Sequence, residues 1–173
     1  MKNAEQSEFD KIELEKSKYL QFGKYTEDCP GWLLEKAKSV VSEKIDESYV
    51  KKILSLINDE FNTEKHQITK TTDFRKSRFI GVKCILDKRL QSCGAVASVI
   101  ASVFRGLGIP TKLVHGYLGE EKENRRHAWN EIYFDGAWHP FDITRGNFAV
   151  GEKHVRKGEY VDWADMEKDY DKK

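Results

Sequence analysis

One cysteine, one histidine and one aspartate stand where together they could make a thiol nucleophile. Cys93 follows Ser92 and opens a run of small and aliphatic residues that ends at Pro110. Within it Val96, Val99, Ile100, Val103, Phe104 and Leu107 recur three and four apart, which predicts a helix with one buried face. Most remaining positions are small (Gly94, Ala95, Ala97, Ser98, Ala101, Ser102), so other elements can pack on several sides and the helix should run through the core. Ser92 suits the N-cap, Gly106 or Gly108 the end, and Pro110 prevents a restart. A cysteine at a helix start meets unpaired backbone N–H groups and the positive end of the helix dipole. Both stabilise the thiolate, and the same N–H groups can hold an oxyanion beside the attacking sulfur. The plainer alternative for Cys93 is a small core residue.

His127 and Asp142 supply the other two functions. His127 begins a segment of alternating character through Phe134, Asp135-Gly136 is a strong hairpin turn, and Ala137 to Ile143 reads as the returning strand. Asp142 lies about as far beyond the turn as His127 lies before it. The hairpin should therefore bring imidazole and carboxylate within hydrogen-bonding reach. A carboxylate there would select the tautomer of His127 and stabilise its charged form.

The elements that must position these three follow from texture. Residues 5–20 are compatible with a charged, weakly amphipathic helix. Pro30 and Gly31 punctuate the chain, and Trp32 begins a segment containing Leu33, Ala37, Val40 and Val41. Tyr49, Ile53, Leu56, Ile57 and Phe61 trace one helical face. Residues 62–89 show no assignable period. Thr111 to Leu118 reads as a strand preceding the hairpin. A helix followed by three adjacent strands predicts an α+β fold, a central helix on an antiparallel sheet. The expected organisation is a single domain, with a helical N-terminal region over 1–70 and a core over 71–173 that ends in a charged tail.

The ordered blocks Cys93-Gly94-Ala95, Arg105, Leu107-Gly108-Ile109-Pro110, Val114-His115-Gly116-Tyr117, His127-Ala128-Trp129-Asn130-Glu131-Ile132-Tyr133, Gly136-Ala137-Trp138 and Asp142-Ile143-Thr144 resemble the transglutaminase-like superfamily. The resemblance spans about residues 90–145 and implies a papain-like arrangement. In it Cys93 opens the core helix as nucleophile, His127 is the base and Asp142 the orienting acid. It also implies a side chain upstream of the cysteine that supports the oxyanion, for which Gln91 is the candidate. The first sixty residues match no block of the family. No glycine-rich arylamine N-acetyltransferase signature precedes Cys93, and no acidic cluster reads as a calcium loop.

The expected activity is cysteine-dependent acyl transfer on amide bonds of a protein or peptide substrate, through a thioester. Hydrolysis (protease, amidase or deamidase) is favoured over crosslinking, and no cofactor or metal is expected. A non-catalytic binding module on the same fold is the alternative; a redox or metal role for the cysteines is a third reading. Trp129 shares strand parity with His127 and could line the cleft or belong to the core. Trp138 has the parity of Asp142 and should shield the His–Asp pair. His66, His115, His139 and His154 show no ligand spacing, and no CxxC or HxxxH supports a zinc site built from Cys84, Cys93, His115 and His127.

Composition sets outer bounds. The 173 residues are 39% hydrophobic and 34% charged, and 30 basic against 29 acidic side chains leave a net charge of +1. No global field recruits nucleic acid or an anionic membrane. The first thirty residues lack the apolar core of a signal peptide, and no stretch approaches the ~20 apolar residues of a bilayer span. Cys29, Cys84 and Cys93 are odd in number and unpaired in spacing, which suits a reducing cytoplasm.

Overall fold

A computed structural model of the chain describes residues 4–62, 79–88, 92–119 and 126–170. The elements in order are α1 (Ala4–Lys18), α2 (Gly31–Lys38), α3 (Glu47–Asn62), α4 (Val82–Lys88), α5 (Cys93–Gly106), β1 (Thr111–Leu118), β2 (Arg126–Phe134), β3 (Ala137–Phe141), β4 (His154–Tyr160) and α6 (Trp163–Tyr170). The four strands form one antiparallel sheet in the order β3-β2-β1-β4. This is the α+β architecture that the helix-then-strands texture predicts.

Helix α5 is the axis of the fold. Every residue from Gly94 to Arg105 is buried, as a helix of small and aliphatic residues packed on several sides requires. Ser92 caps it: its side chain accepts from the Ala95 N–H at 3.2 Å, and its carbonyl accepts from Val96 N at 2.9 Å. At the other end Gly108, at φ +78°, lets the chain reverse, and Ile109 N reaches the Phe104 carbonyl at 2.8 Å. The face built from Val96, Val99, Ile100, Val103 and Phe104 meets Val50, Ile53, Leu54 and Ile57 of α3 and Ile132 of β2 in one cluster. Leu56 and Tyr49, on the flank of the predicted α3 face, are only partly buried.

The β2–β3 hairpin closes on Asp135 and Gly136, both at positive φ, the two-residue turn whose twist matches its strands. Phe134 pairs with Ala137 and Asn130 with Phe141. That register sets Asp142 two residues short of a direct position opposite His127. Strand β3 also ends at Phe141, one residue before Asp142, where the backbone turns. Asp142 N is held by the Phe148 carbonyl at 3.0 Å and Phe148 N by Arg145 O at 2.9 Å, a tight loop that lets the carboxylate reach diagonally. Phe148 sits at φ +58°, a conformation unusual for a bulky side chain; its packing against the core holds it there.

Charge alone does not mark residues 154–170 as structured, yet they form β4 and α6. Strand β4 pairs with β1, from Leu113 opposite Tyr160 to Leu118 opposite His154, with a bulge between His115 and Gly116. Only glycine fits at 116: a Cβ there would collide with the Val155 carbonyl oxygen and lie 2.8 Å from Trp129 Cη2. Trp163 of α6 is fully buried and its indole N–H donates to the Gly94 carbonyl at 3.1 Å, tying α6 to the start of α5. Asp162 binds this end of the chain to the N-terminal region. Its Oδ2 accepts from Tyr25 N (2.9 Å), Thr26 N (2.7 Å) and Thr26 Oγ1 (2.8 Å), and its Oδ1 accepts from Ala164 N at 2.8 Å. Arg105 completes the join, donating through Nε and Nη2 to Thr111 O and through Nη1 to Gln21 O and Thr26 Oγ1. Burial lowers the Arg105 pKa to about 10, with nearby Asp162 opposing the shift.

Among the described residues no helix is long and apolar enough to cross a membrane.

Candidate active site

The N-terminus of α5, the start of β2, the loop after β3 and the start of β4 converge on one point. Cys93 is the first residue of α5 and is half-buried; His127 is 7% and Asp142 1% exposed. His127 Nε2 lies 2.7 Å from Asp142 Oδ2, the separation of a short, charge-assisted hydrogen bond. His127 also engages the Cys93 thiol. With Nε2 committed to the carboxylate, Nδ1 is the ring atom left for sulfur.

The electrostatics follow from these contacts. Burial disfavours a charge on His127, but hydrogen bonds and charge attraction from Asp142 and Cys93 outweigh it and raise its pKa to about 9. Burial likewise works against the Asp142 carboxylate. Donors from His127, His154 and Thr144 prevail and hold it well below the usual range. Its Oδ1 accepts from Thr144 N (3.0 Å) and Thr144 Oγ1 (2.6 Å), and Arg145 Nε stands 3.8 Å from Oδ2. The carboxylate is anionic and fixed in rotation, and His127 is cationic at neutral pH. Such a pair can keep a neighbouring sulfur as thiolate and later deliver a proton.

His154 is the residue that the sequence did not indicate. Its Nε2 lies 3.0 Å from the same Asp142 Oδ2 that His127 uses, and its side chain is 4% exposed. It stands in the charged stretch His154-Val155-Arg156-Lys157, with none of the spacing that signals a ligand or catalytic pair. His127, Asp142 and His154 each offer a ligand atom within 4.8 Å of the others, so they could hold a divalent ion if both Nε2 atoms shed their protons. The two hydrogen bonds account for the arrangement without one.

Trp129 is 3% exposed and lies beside both imidazoles, stacked near His127 (centroids 6.3 Å apart, planes at 27°) and edge-on to His154 (5.3 Å, 84°). Trp138 does not shield the His–Asp pair. It packs on Tyr133 and Tyr19 at 5.2 and 5.4 Å between ring centroids, with Lys112 Nζ 4.2 Å from its own. Parity gave the correct face but not the distance, since four strand residues carry Trp138 roughly 13 Å from Asp142. Gln91 lies outside the described residues. Cys29 is buried, which pushes its thiol up to about 11, and Cys84 is half-buried. Beside the site a cleft of about 520 Å³ is lined by Phe61, Val96, Ile143, Thr144, Arg145 and Phe148 among others. Val96 is one helical turn beyond Cys93, and Ile143 follows Asp142 directly.

The family model described as the transglutaminase-like superfamily matches residues 35–143, a span that includes Cys93, His127 and Asp142. Among solved structures, one titled as a "Putative Cysteine Protease" from Cytophaga hutchinsonii aligns with a TM-score of 0.63 and 23% identity over 87% of this chain and 48% of that one. A second, titled "Crystal structure of a TGase", aligns with a TM-score of 0.48 and 20% identity over 75% of this chain and 33% of the other. The chain thus spans about half the length of the first of these structures. No curated protein sequence matches the chain.

Proposed function

The chain belongs to the transglutaminase-like superfamily, and on that premise we propose that it is a cysteine-dependent acyl-transfer enzyme acting on amide bonds of proteins or peptides, with water as the favoured acceptor. The observation that carries this reading is the 2.7 Å bond between His127 and Asp142, with the Cys93 thiol engaged by the same imidazole at a helix start. Resemblance in fold to a chain titled as a cysteine protease supports the hydrolytic branch.

In the proposed cycle the Cys93 thiolate adds to the amide carbonyl carbon. The developing oxyanion sits at the N–H groups that open α5 ahead of Ala95, whose own N–H serves the Ser92 side chain. As the C–N bond breaks, the His127 imidazolium gives its proton to the departing nitrogen, leaving a Cys93 thioester. A water then adds to the thioester carbonyl and His127 takes its proton. Collapse releases the acid and restores the thiolate and imidazolium. Asp142 keeps the Nε2–H tautomer of His127 and balances its charge throughout. The cleft lined by Val96, Ile143 and Phe148 takes the apolar part of the acyl chain, with Thr144 and Arg145 at its polar side.

Alkylation of Cys93 by iodoacetate, followed against pH by peptide mass spectrometry, tests the nucleophile without a known substrate. Cys93 should react rapidly near pH 6, where an ordinary thiol of pKa about 8.5 is almost wholly protonated. His127 has a raised pKa, so its positive charge is present at neutral pH and is lost as pH climbs through about 9. The rate should fall over that range as the cation that attracts the reagent disappears. In His127→Ala the fast reaction at pH 6 should vanish. Buried Cys29 should stay slow throughout, an internal control. Labelling of Cys93 no faster than a free thiol would sink the enzyme reading and favour a binding module.

A further inference from the structure

We propose that His154 is a positioning residue of this site: by donating its Nε2–H to the same Asp142 oxygen that serves His127, it sets how much of that carboxylate's charge the catalytic imidazole receives. The inference rests on the reading of His127 as the base, but its geometry stands independently.

The proton on His154 is placed by its neighbours. Asp142 Oδ2 is a carboxylate oxygen and can only accept, so the ring nitrogen that faces it, Nε2, carries a proton; Nδ1 lies 3.1 Å from Gly151 N and 3.2 Å from Gly151 O. The Gly151 carbonyl also accepts from His154 N at 2.9 Å. Nε2 then donates across 3.0 Å to Asp142 Oδ2. The ring is held on its other side by Trp129, edge-on, and its backbone is pinned by β4 pairing with Leu118 of β1.

Asp142 cannot answer by turning. Both Thr144 donors occupy Oδ1, so Oδ2 alone faces the two histidines. An oxygen with two strong donors gives each a weaker bond than it would give one. The groups facing this triangle are Cys93 from α5, His127 from β2, Asp142 and Arg145 from the loop after β3, and His154 itself from β4. His154 thus competes directly with His127 for the same carboxylate oxygen. Its removal should strengthen the bond from His127 to Asp142, so that His127 holds its proton to higher pH.

The test is an NMR titration of the His127 Cε1–H resonance, assigned by its absence in His127→Ala. It is run in a Cys93→Ala background so that the outcome does not depend on whether Cys93 is a nucleophile. His154→Phe keeps a ring against Trp129 but has no donor. His154→Asn can keep a polar atom near Gly151 but is too short to reach Asp142. His154→Gln places an amide N–H where Nε2–H was. The His127 midpoint is expected to rise by about half a unit to one unit in the Phe and Asn variants and to stay near the parent value in the Gln variant. An unchanged or lowered midpoint in either donorless variant that folds, judged by circular dichroism, overturns the proposal. So does a Gln variant that behaves as Phe does, because a merely space-filling His154 would show no rescue. Failure of the alkylation test together with a raised midpoint here would reject the enzyme reading while leaving the shared carboxylate intact.

Discussion

Cys93→Ala is expected to abolish turnover of amide substrates, by about 10⁴-fold or more, while leaving the thermal midpoint close to that of the parent. The sulfur is the atom that becomes bonded to the acyl carbon, and no other thiol lies in the described site; Cys29 is buried in the core and Cys84 belongs to α4. Truncating a half-buried cysteine at a helix start removes little packing. Asp142→Asn should be the informative companion. Its amide could present N–H to the His127 ring, favouring the tautomer in which Nε2 accepts, so activity should fall by about 10²–10⁴-fold with the fold retained. Release of ammonia and of new amino termini from a denatured protein substrate, measured in parallel, would check both variants and separate deamidation from peptide cleavage. Full turnover in Cys93→Ala would remove the thioester from the mechanism.

Asp162→Ala should have the largest effect on stability, a loss of about 3–5 kcal/mol. The side chain is 4% exposed and accepts from three donors in residues 25–26 and one at the start of α6. Alanine would strand the Tyr25 and Thr26 N–H groups in the interior and deprive buried Arg105 of its nearby anion. The damage should extend to the site. Trp163, the next residue, carries the indole that holds the Gly94 carbonyl, and Gly94 follows Cys93. Urea unfolding followed by tryptophan fluorescence gives the stability change. A loss below about 1 kcal/mol would mean that water replaces the carboxylate without strain.

What the sequence made legible was whatever has a period or a turn signature. Helix α5 shows its burial in its composition, Ser92 and Gly108 mark its ends, and Asp135-Gly136 marks the hairpin. From these alone His127 and Asp142 fall within reach of each other, although the estimate of equal arms is two residues out of register and the loop from Asp142 to Phe148 makes up the difference. Strand β4 was hidden because it is an edge strand with solvent on much of its surface, so His154, Arg156 and Lys157 read as a charged run. Its histidine reaches the site through pairing with β1, a long-range fact without local trace. Helix α6 did leave a mark. Asp162 before Trp163-Ala164-Asp165 is a helix N-cap pattern, and the structure uses it as one at 2.8 Å. The expected place of Trp138 failed for a different reason: alternation tells which face a residue takes and nothing about how far along the strand it sits.

The joins that complete the site are also those that take longest to form. Strand β4 must find β1 after the whole hairpin has intervened, Trp163 closes a span of 69 residues onto Gly94, and Asp162 one of 136 residues onto Thr26. Loop closure over such distances is entropically unfavourable until the sheet is already in place, so joins of this kind slow folding relative to a chain held by local contacts. The β2–β3 hairpin and α5 can assemble early from near neighbours, bringing His127 towards Asp142 while β1 still lacks its outer partner. Only when β4 docks does His154 arrive, and only when α6 docks is the carbonyl behind Cys93 tethered. A copy with only α5 and the hairpin in place would therefore already hold Cys93, His127 and Asp142 near one another, and the late joins add the second donor on the carboxylate and the tether on the Gly94 carbonyl.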